Sequence, residues 1–139
     1  MNPTLTAHVL LFKDNKVLLV RHGEAASHIT GTYGIPGGRQ EPNETLKQTA
    51  VREFGEETGL KIQENDLIEF PNNEYTADLQ RKGGEIKRFT MHVFLVKEYQ
   101  SELKSSAETF PEWIDLDKVS TLNLLPNVEN AIQAVLKVE

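Results

Sequence analysis

Cysteine is absent from the 139-residue chain, which excludes a disulfide framework and any catalysis that depends on a thiol. Basic residues are in the minority, with 15 Lys and Arg against 21 Asp and Glu and a net charge of −6. A protein that binds nucleic acid along an extended surface needs a basic stripe, so this class is not expected. A polyphosphate ligand would also be repelled unless metal ions screened the charge.

Long apolar runs are missing as well, because no segment stays apolar for the roughly 18 residues that a membrane span requires. The N-terminal residues lack a basic segment followed by an apolar run and a small-residue cleavage site. We therefore expect no membrane association and a cytoplasmic location. The length fits one domain over residues 1–139, and contents of 38% hydrophobic and 26% charged residues are typical of globular proteins.

Hydrophobic periodicity predicts a mixed α/β fold. A hairpin is expected from strands at 5–12 and 16–21, followed by a loop at 23–32 and a glycine-rich turn at 34–38. The remaining predicted elements are strands at 67–78, 86–99 and 113–116, a loop at 101–109, a turn or short helix at 117–121, and an amphipathic helix at 127–138. The strand at 86–99 is apolar on both faces and should be central in its sheet. These elements suggest an α/β/α sandwich.

The stretch from Gly38 to Leu60 is interpreted as a loop that leads into one helix. On a helix of about 3.6 residues per turn, Glu53, Glu56 and Glu57 fall within an arc of roughly 100°, so three like charges share one stripe. Such a cluster is either a solvated acidic face or a site for a cation that neutralises it. Oxygen ligands without Cys or His favour a hard ion, Mg²⁺ or Mn²⁺.

An apolar stripe adjoins these glutamates and can bury the helix against a sheet. Asn43 is predicted as the N-cap, with Glu44 in the first turn, where the helix dipole favours an anion. Gly59 is suited to the left-handed conformation that ends a helix. The stripe consists of Leu46, Ala50, Val51 and Phe54.

This segment matches a known pattern, G-x5-E-x7-R-E-U-x-E-E-x-G-U, in which U is apolar. Its fixed positions are all filled, by Gly38, Glu44, Arg52, Glu53, Phe54, Glu56, Glu57, Gly59 and Leu60. The chain therefore resembles the Nudix hydrolase family, of the MutT-like type, with the full Nudix box. The preceding residues 33–38, YGIPGG, are similar to the family's W-x-x-P-G-G, with Tyr33 in the place of Trp.

The resemblance implies a Nudix-type α/β/α sandwich with a mixed β-sheet and the catalytic helix packed on it. It also implies hydrolysis of a nucleoside diphosphate linked to another moiety: a nucleoside triphosphate, an oxidised nucleotide, ADP-ribose or a dinucleoside polyphosphate. Mg²⁺ would be the cofactor, with Mn²⁺ as the alternative. The implied metal ligands are Glu53, Glu56, Glu57 and a backbone carbonyl at Gly37 or Gly38, and the implied supporting catalytic residues are Arg52 and Glu44.

Other site residues are less sharply defined by the sequence. A general base outside the helix is left open between Glu98, Glu102 and Glu108. Asn127 resembles a residue that reads the base edge in some relatives, although the N-cap of the last helix is the favoured interpretation. The candidate substrate contacts are Gly37, Gly38, Arg21, Tyr33, Arg39 and Asn127.

Aromatic and histidine side chains give weaker signals. Phe70, Tyr75 and Phe89 could stack on a nucleobase, but aromatic residues belong to the core more often. His22 and His28 flank the loop before the glycine turn and are candidates for the border of a pocket. In contrast, His8 and His92 lie in predicted strands and are expected to be structural.

Two other functions are weighed against a hydrolase. The first is a non-catalytic Nudix-fold module that binds a nucleotide or ADP-ribose, although no glutamate of the box is missing. The second is an isoprenoid diphosphate isomerase, which ranks low because it would be expected to carry a catalytic cysteine. The expected partner is a nucleotide-like small molecule. A homodimer is left open, because dimers are frequent in the family and a long edge strand could support one.

Overall fold

The computed structural model describes residues 2–138 of the chain. The strands are β1 (Thr4–Lys13), β2 (Lys16–His22), β3 (Tyr33–Gly34), β4 (Gly37–Arg39), β5 (Glu74–Gln80), β6 (Ile86–Val96) and β7 (Thr109–Asp115). The α-helices are α1 (Leu46–Thr58) and α2 (Val128–Val138), and short 3₁₀ helices lie at Glu64–Asp66 and Leu116–Thr121. Neither α-helix in this range has the length and apolar character needed to cross a membrane.

The strands form one mixed sheet in the order β3-β2-β1-β6-β5, with β4 paired to β1 and β7 paired to β2. β1 and β6 run parallel, from Thr4 beside Phe89 to Leu11 beside Val96. The other pairs are antiparallel. β6 lies between β1 and β5, as its two apolar faces predicted.

The sheet divides into two parts, because β1 pairs with β2 only near their shared turn, at Phe12 with Val17 and Lys13 with Lys16. β3 pairs with β2 in one part, and β4 pairs with β1 in the other. The glycine-rich turn between β3 and β4 therefore connects the two parts.

The helices cover opposite faces of the sheet, since neighbouring residues of a strand point to opposite sides. On β1, Val9 packs toward α1 and its neighbour Leu10 packs toward α2. Phe54 anchors α1 in one core, and Ile132 belongs to the α2 core. The fold is an α/β/α sandwich, which confirms the predicted fold class.

The start of α1 differs from the sequence prediction. The N-cap is Thr45, which forms a capping box: its Oγ1 accepts from the Gln48 backbone N–H at 3.1 Å, and its own N–H donates to Gln48 Oε1 at 2.9 Å. Asn43 instead has φ 70 in the preceding turn. Glu44 consequently lies before the helix rather than in its first turn. The predicted end is correct, because Gly59 caps the helix with φ 80.

Three predicted strands differ from the structure in their boundaries. The strand expected at 86–99 ends at Val96, because the chain leaves the sheet there and Gln100 forms only an isolated bridge to Lys61. The strand expected at 67–78 begins only at Glu74, because Pro71 and Asn72, which has φ 59, form a turn. The preceding Ile68 makes only an isolated bridge to Leu95. The strand expected at 113–116 is longer, because β7 already begins at Thr109 and pairs with the whole of β2.

Candidate active site

Two glutamates of α1 lie against the glycine turn. The Gly37 backbone N–H donates to Glu57 Oε1 at 2.9 Å. A Cβ on Gly38 would overlap the Glu53 carboxylate, and a Cβ on Gly37 would overlap the Ala7 carbonyl oxygen. Glycine at position 38 therefore lets the Glu53 carboxylate approach the turn, and glycine at position 37 lets the turn pack against Ala7 and His8 of β1.

Burial raises the pKa of the Glu57 carboxyl group to about 8, and the nearby charges of Glu53 and Glu108 add to this effect. Burial also raises the pKa of Glu53, with a further contribution from Glu56 and an opposing one from Arg52. Ionising both carboxyl groups would therefore place two repelling negative charges in a desolvated site. A bound cation would offset both the mutual repulsion and the cost of burial.

Glu56 lies beside Glu53 but is much more exposed to solvent. Its side chain is 58% exposed and meets Arg52 Nη1 at 3.4 Å, whereas the Glu53 side chain is 18% exposed. Within residues 2–138, no three carboxylate or imidazole groups already converge closely enough to hold a metal ion. The donor chemistry nevertheless suits Mg²⁺ or Mn²⁺, because Glu53 and Glu57 offer hard oxygen atoms beside the carbonyl groups of the glycine turn.

Arg52 ties the loop before α1 to the helix. Its Nε donates to Glu44 Oε2 at 2.7 Å and its Nη2 to Glu44 Oε1 at 2.9 Å, which is a bidentate ion pair. Nη2 also donates to the Arg39 carbonyl oxygen at 3.1 Å, and Nη1 lies 3.5 Å from Glu53 Oε2. The Arg52 guanidinium holds the pKa of Glu44 down at about 2. Arg52 is thus positioned to orient Glu53.

Glu53 and Glu57 open onto a cavity of about 390 Å³ that extends over β5 and β6. Apolar side chains on the sheet form its far wall, and the glycine turn and α1 form the other end. The wall residues are Tyr75, Ala77, Leu79, Phe89 and Met91. The cavity therefore has a charged end and an apolar, partly aromatic end.

Three histidines line the same cavity. His8 Nδ1 lies 2.8 Å from the Ile35 carbonyl oxygen and His22 Nδ1 lies 2.9 Å from that of Thr32. A carbonyl oxygen only accepts, so both rings carry their proton on Nδ1. Burial lowers the pKa of His8 and of His28 to about 4, and lowers that of His22. All three imidazoles are thus neutral near pH 7.

The three candidate bases lie in different places. Glu108 precedes β7 and lies on the rim of the cavity, where its charge raises the pKa of both Glu53 and Glu57. Glu98 lies in a separate groove behind α1. Glu102 packs its backbone carbonyl near Gly59, at the end of α1. Only Glu108 of these three lines the cavity.

The predicted substrate contacts divide in the same way. Gly37, Gly38, Arg39 and Asn127 line the cavity. Arg21 and Tyr33 instead bind Glu112 of β7, through Arg21 Nε at 3.0 Å and Tyr33 Oη at 3.0 Å, and are not among the lining residues. Both side chains are thus held by Glu112 on the adjacent strand. Local sequence could not reveal this contact, because Glu112 lies 91 residues after Arg21 and 79 residues after Tyr33.

Asn127 lies at the N-terminus of α2, where the favoured interpretation placed it, but its side chain does not cap the helix. Its carbonyl oxygen accepts from the Ala131 backbone N–H at 3.0 Å, so it immediately precedes α2. Its side-chain Oδ1 accepts from Asn130 Nδ2 at 2.9 Å rather than from a helix backbone N–H. With φ 70, the residue turns the chain at the edge of the cavity.

Sequence reasoning missed several residues of the cavity. Arg81, beyond the end of β5, places its guanidinium 5.5 Å from the centre of the Phe89 ring. The adjacent Lys82 does not line the cavity. Its Nζ donates to the carbonyl oxygens of Gly23 at 3.1 Å and Glu24 at 2.7 Å, which holds the β5–β6 turn against the 23–32 loop. His8 was expected to be structural, and its alternation with buried neighbours on β1 was the available signal for the cavity face.

Buried carboxylates on a helix that packs against a glycine turn, within an α/β/α sandwich, are the site of a hydrolase that acts on pyrophosphate bonds. The sequence matches the NUDIX domain family over residues 2–136. The chain belongs to the Nudix family, as the box at 38–60 predicted.

Relatives and solved structures agree with this assignment. The chain is 48% identical over 46 residues to the putative 8-oxo-dGTP diphosphatase 3 of Mycobacterium tuberculosis, covering 33% of this chain and only 21% of that protein. It is 29% identical to the 8-oxo-dGTP diphosphatase of Proteus vulgaris, covering 71% of this chain and 80% of the relative. The fold matches the MutT protein of Methanosarcina mazei Go1 with a TM-score of 0.78 and 22% identity, covering 99% and 97% of the two chains.

Proposed function

We propose that this chain is a pyrophosphohydrolase that depends on Mg²⁺ or Mn²⁺ and cleaves a phosphoanhydride bond of a nucleoside triphosphate. The observation that carries the proposal is the placement of Glu53 and Glu57, two buried carboxylates against the Gly37-Gly38 turn, at the mouth of a cavity with an aromatic wall. A polyphosphate fits the charged end once a cation is present, and a nucleoside fits the far end.

Glu53 and Glu57 would hold the cation, with Glu56 and the Gly38 carbonyl completing the set. When bound, the cation would neutralise charge that builds on the phosphate oxygens and lower the pKa of a bound water. Arg52 orients Glu53, and the Gly37 N–H fixes the Glu57 carboxylate. Glu108 is the candidate to accept the proton of the attacking water, since it alone of the three candidate bases lines the cavity.

The far end of the cavity supports a nucleobase. The Phe89 ring and the Arg81 guanidinium, 5.5 Å from the ring centre, provide flat groups on which a base can stack. Tyr75 and Met91 add apolar area. Asn127 lies at the edge, where its amide can reach the hydrogen-bonding groups of a base. Two relatives are named as 8-oxo-dGTP diphosphatases, so a purine triphosphate, including an oxidised one, is the first substrate to test.

A panel of nucleotides with Mg²⁺ or Mn²⁺ tests the reaction. We expect release of pyrophosphate and a nucleoside monophosphate, and loss of the activity when EDTA removes the metal. Release of AMP and ribose phosphate from ADP-ribose would instead identify the substrate as ADP-ribose. Tight nucleotide binding without any hydrolysis would identify the chain as a binding module.

We predict that Glu57→Gln lowers kcat by about 100-fold or more, because a neutral amide cannot replace a carboxylate that holds a cation. Glu53→Gln should behave likewise. Both should keep the fold, since the amide oxygen can still accept from the Gly37 N–H at position 57. Glu98→Gln is the matched control, because it makes the same change in the groove behind α1. Parental activity in Glu57→Gln would remove its assigned role.

Two further points remain predictions from the sequence. β5 is an edge strand of the sheet, so a homodimer through that edge is still a candidate state. Light scattering in solution would distinguish a dimer from a monomer. The cytoplasmic location likewise stays a prediction.

A further inference from the structure

The ring of His22 presents one nitrogen to the cavity. Its Nδ1–H donates to the Thr32 carbonyl oxygen, so Nε2 carries a lone pair. Within residues 2–138, Nε2 makes no hydrogen bond, yet no buried side-chain nitrogen or oxygen there lacks a partner. Nε2 is therefore open to the cavity that the residue lines. It is a hydrogen-bond acceptor in position for a ligand.

His28 lies directly beside it. The two ring centres are 4.7 Å apart with an interplanar angle of 67°, and the His28 ring is 6.2 Å from that of Phe89. Burial keeps the pKa values of both imidazoles below their usual range. Neutral rings offer no ionic attraction to a phosphate, and the free His22 Nε2 accepts rather than donates, so the pair is suited to a part of the ligand that carries O–H or N–H donors.

The position of the histidine pair within the cavity indicates which part of a bound nucleotide would contact it. The charged end begins at Glu57, whose carboxylate binds Gly37, and Gly37 packs on the ring of His8. The aromatic end begins at Phe89, which His28 contacts. A nucleotide with its phosphates at Glu57 and its base at Phe89 would place its sugar and the adjoining edge of its base beside the histidine pair.

We propose that His22 and His28 form a binding site for the nucleoside of the substrate, in which His22 Nε2 accepts a hydrogen bond from a sugar hydroxyl or a ring N–H. The identity of the ligand as a nucleotide rests on the proposed function. The histidine pair would set specificity for the nucleoside and would not take part in bond cleavage.

Substitutions at position 22 test the two ring nitrogens separately. In His22→Asn, the side-chain NH₂ can occupy the place of Nδ1 and keep the bond to Thr32, while the Nε2 acceptor is lost. In His22→Gln, the longer side chain restores an acceptor near the Nε2 position. His28→Phe keeps the ring contacts and removes both nitrogens. His92→Gln is the control, because His92 binds Glu69 and Glu74 outside the cavity.

The experiment measures binding of guanosine, 2′-deoxyguanosine and 2′,3′-dideoxyguanosine monophosphates, with inorganic pyrophosphate as the probe that has no nucleoside. We expect His22→Asn to weaken nucleotide binding by about 3- to 10-fold, the size of one neutral hydrogen bond, and His22→Gln to recover part of it. Pyrophosphate binding should not change. Histidine ¹⁵N NMR should show the His22 Nε2 resonance shifting when a nucleotide is added.

The nucleotide series identifies the donor group. If the loss disappears with the dideoxynucleotide, the donor is a sugar hydroxyl; if it persists there but depends on the base, the donor is a ring N–H. Equal affinity in His22→Asn and parent, equal weakening for pyrophosphate, or no nucleoside monophosphate binding at all would overturn the proposal. Hydrolysis in the parent with any of those results leaves the proposed function standing, whereas histidine-dependent binding without hydrolysis refutes that function alone.

Discussion

The Glu53 carboxylate packs against the Cα of Gly38 and occupies the space that a Cβ would need. The usual reason for a glycine is a positive φ, but Gly38 does not have one. Its role is the close approach of a carboxylate to the backbone. A substitution here should therefore move Glu53 without straining the chain.

We predict that Gly38→Ala lowers kcat by about 10- to 100-fold, because a displacement of about 1 Å of a catalytic group has costs of that size. Gly83→Ala is the matched control, since a Cβ there meets nothing within 4 Å. Steady-state kinetics and circular dichroism of both variants check the prediction. Equal kcat values would show that Glu53 adapts without loss.

At the scale of elements, α1 is joined to the loop before it by the Arg52–Glu44 ion pair. Glu44 also accepts from Thr49 Oγ1 at 2.9 Å and from the Glu41 backbone N–H at 2.9 Å. These bonds hold a loop that lacks regular structure against the first turns of the helix. Their contribution must depend on the charge of Glu44.

The pH dependence follows from the low pKa of Glu44, about 2 in the folded protein against an ordinary value of 4.5. A carboxyl group with a depressed folded-state pKa stabilises the fold above the ordinary value, and this contribution is lost as the pH falls toward 2. We predict that the urea midpoint of Glu44→Gln falls less than that of the parent between pH 5 and pH 2, with Glu98→Gln following the parent. Parallel curves for Glu44→Gln and the parent would contradict the prediction.

At the scale of the whole molecule, the sheet separates two apolar cores, and each helix closes one of them. Phe54 is fully buried in the α1 core, and its neighbour on the helix is Glu53. The residues that hold the fold and those that form the site thus alternate along one helix. Packing of the core sets the position of the carboxylates.

We predict that Phe54→Ala lowers the free energy of unfolding by about 3 to 5 kcal/mol, the range for loss of a buried phenylalanine. Leu136→Ala should cost less than about 1 kcal/mol, because Leu136 is 38% exposed. Urea denaturation of both variants gives the measurement. A loss below about 1 kcal/mol for Phe54→Ala would mean that the α1 core does not support the fold.

Patterns within a few turns of chain were readable from the sequence. The periodicity of Leu46, Ala50 and Phe54 predicted a buried helix face, and Gly59 marked its end. The N-cap was misplaced because Asn43 and Thr45 are both good capping residues, and only the partner Gln48 and the backbone φ distinguish them. Likewise the apolar residues within Leu67 to Phe70 suggested a strand, but Phe70 lies just before a turn and packs in the α2 core.

The family, the arrangement of helices and strands and the spacing of the glutamates could be predicted from residue order alone, because each depends on local periodicity or on a contiguous pattern. The three-dimensional fold was needed to show that Glu108 lines the cavity while Glu98 does not and that Glu112 binds Arg21 and Tyr33. It was also needed to show that His22 and His28 lie side by side near Phe89. These contacts join residues far apart in the chain. They depend on how strands pair and how helices pack, which local sequence does not encode.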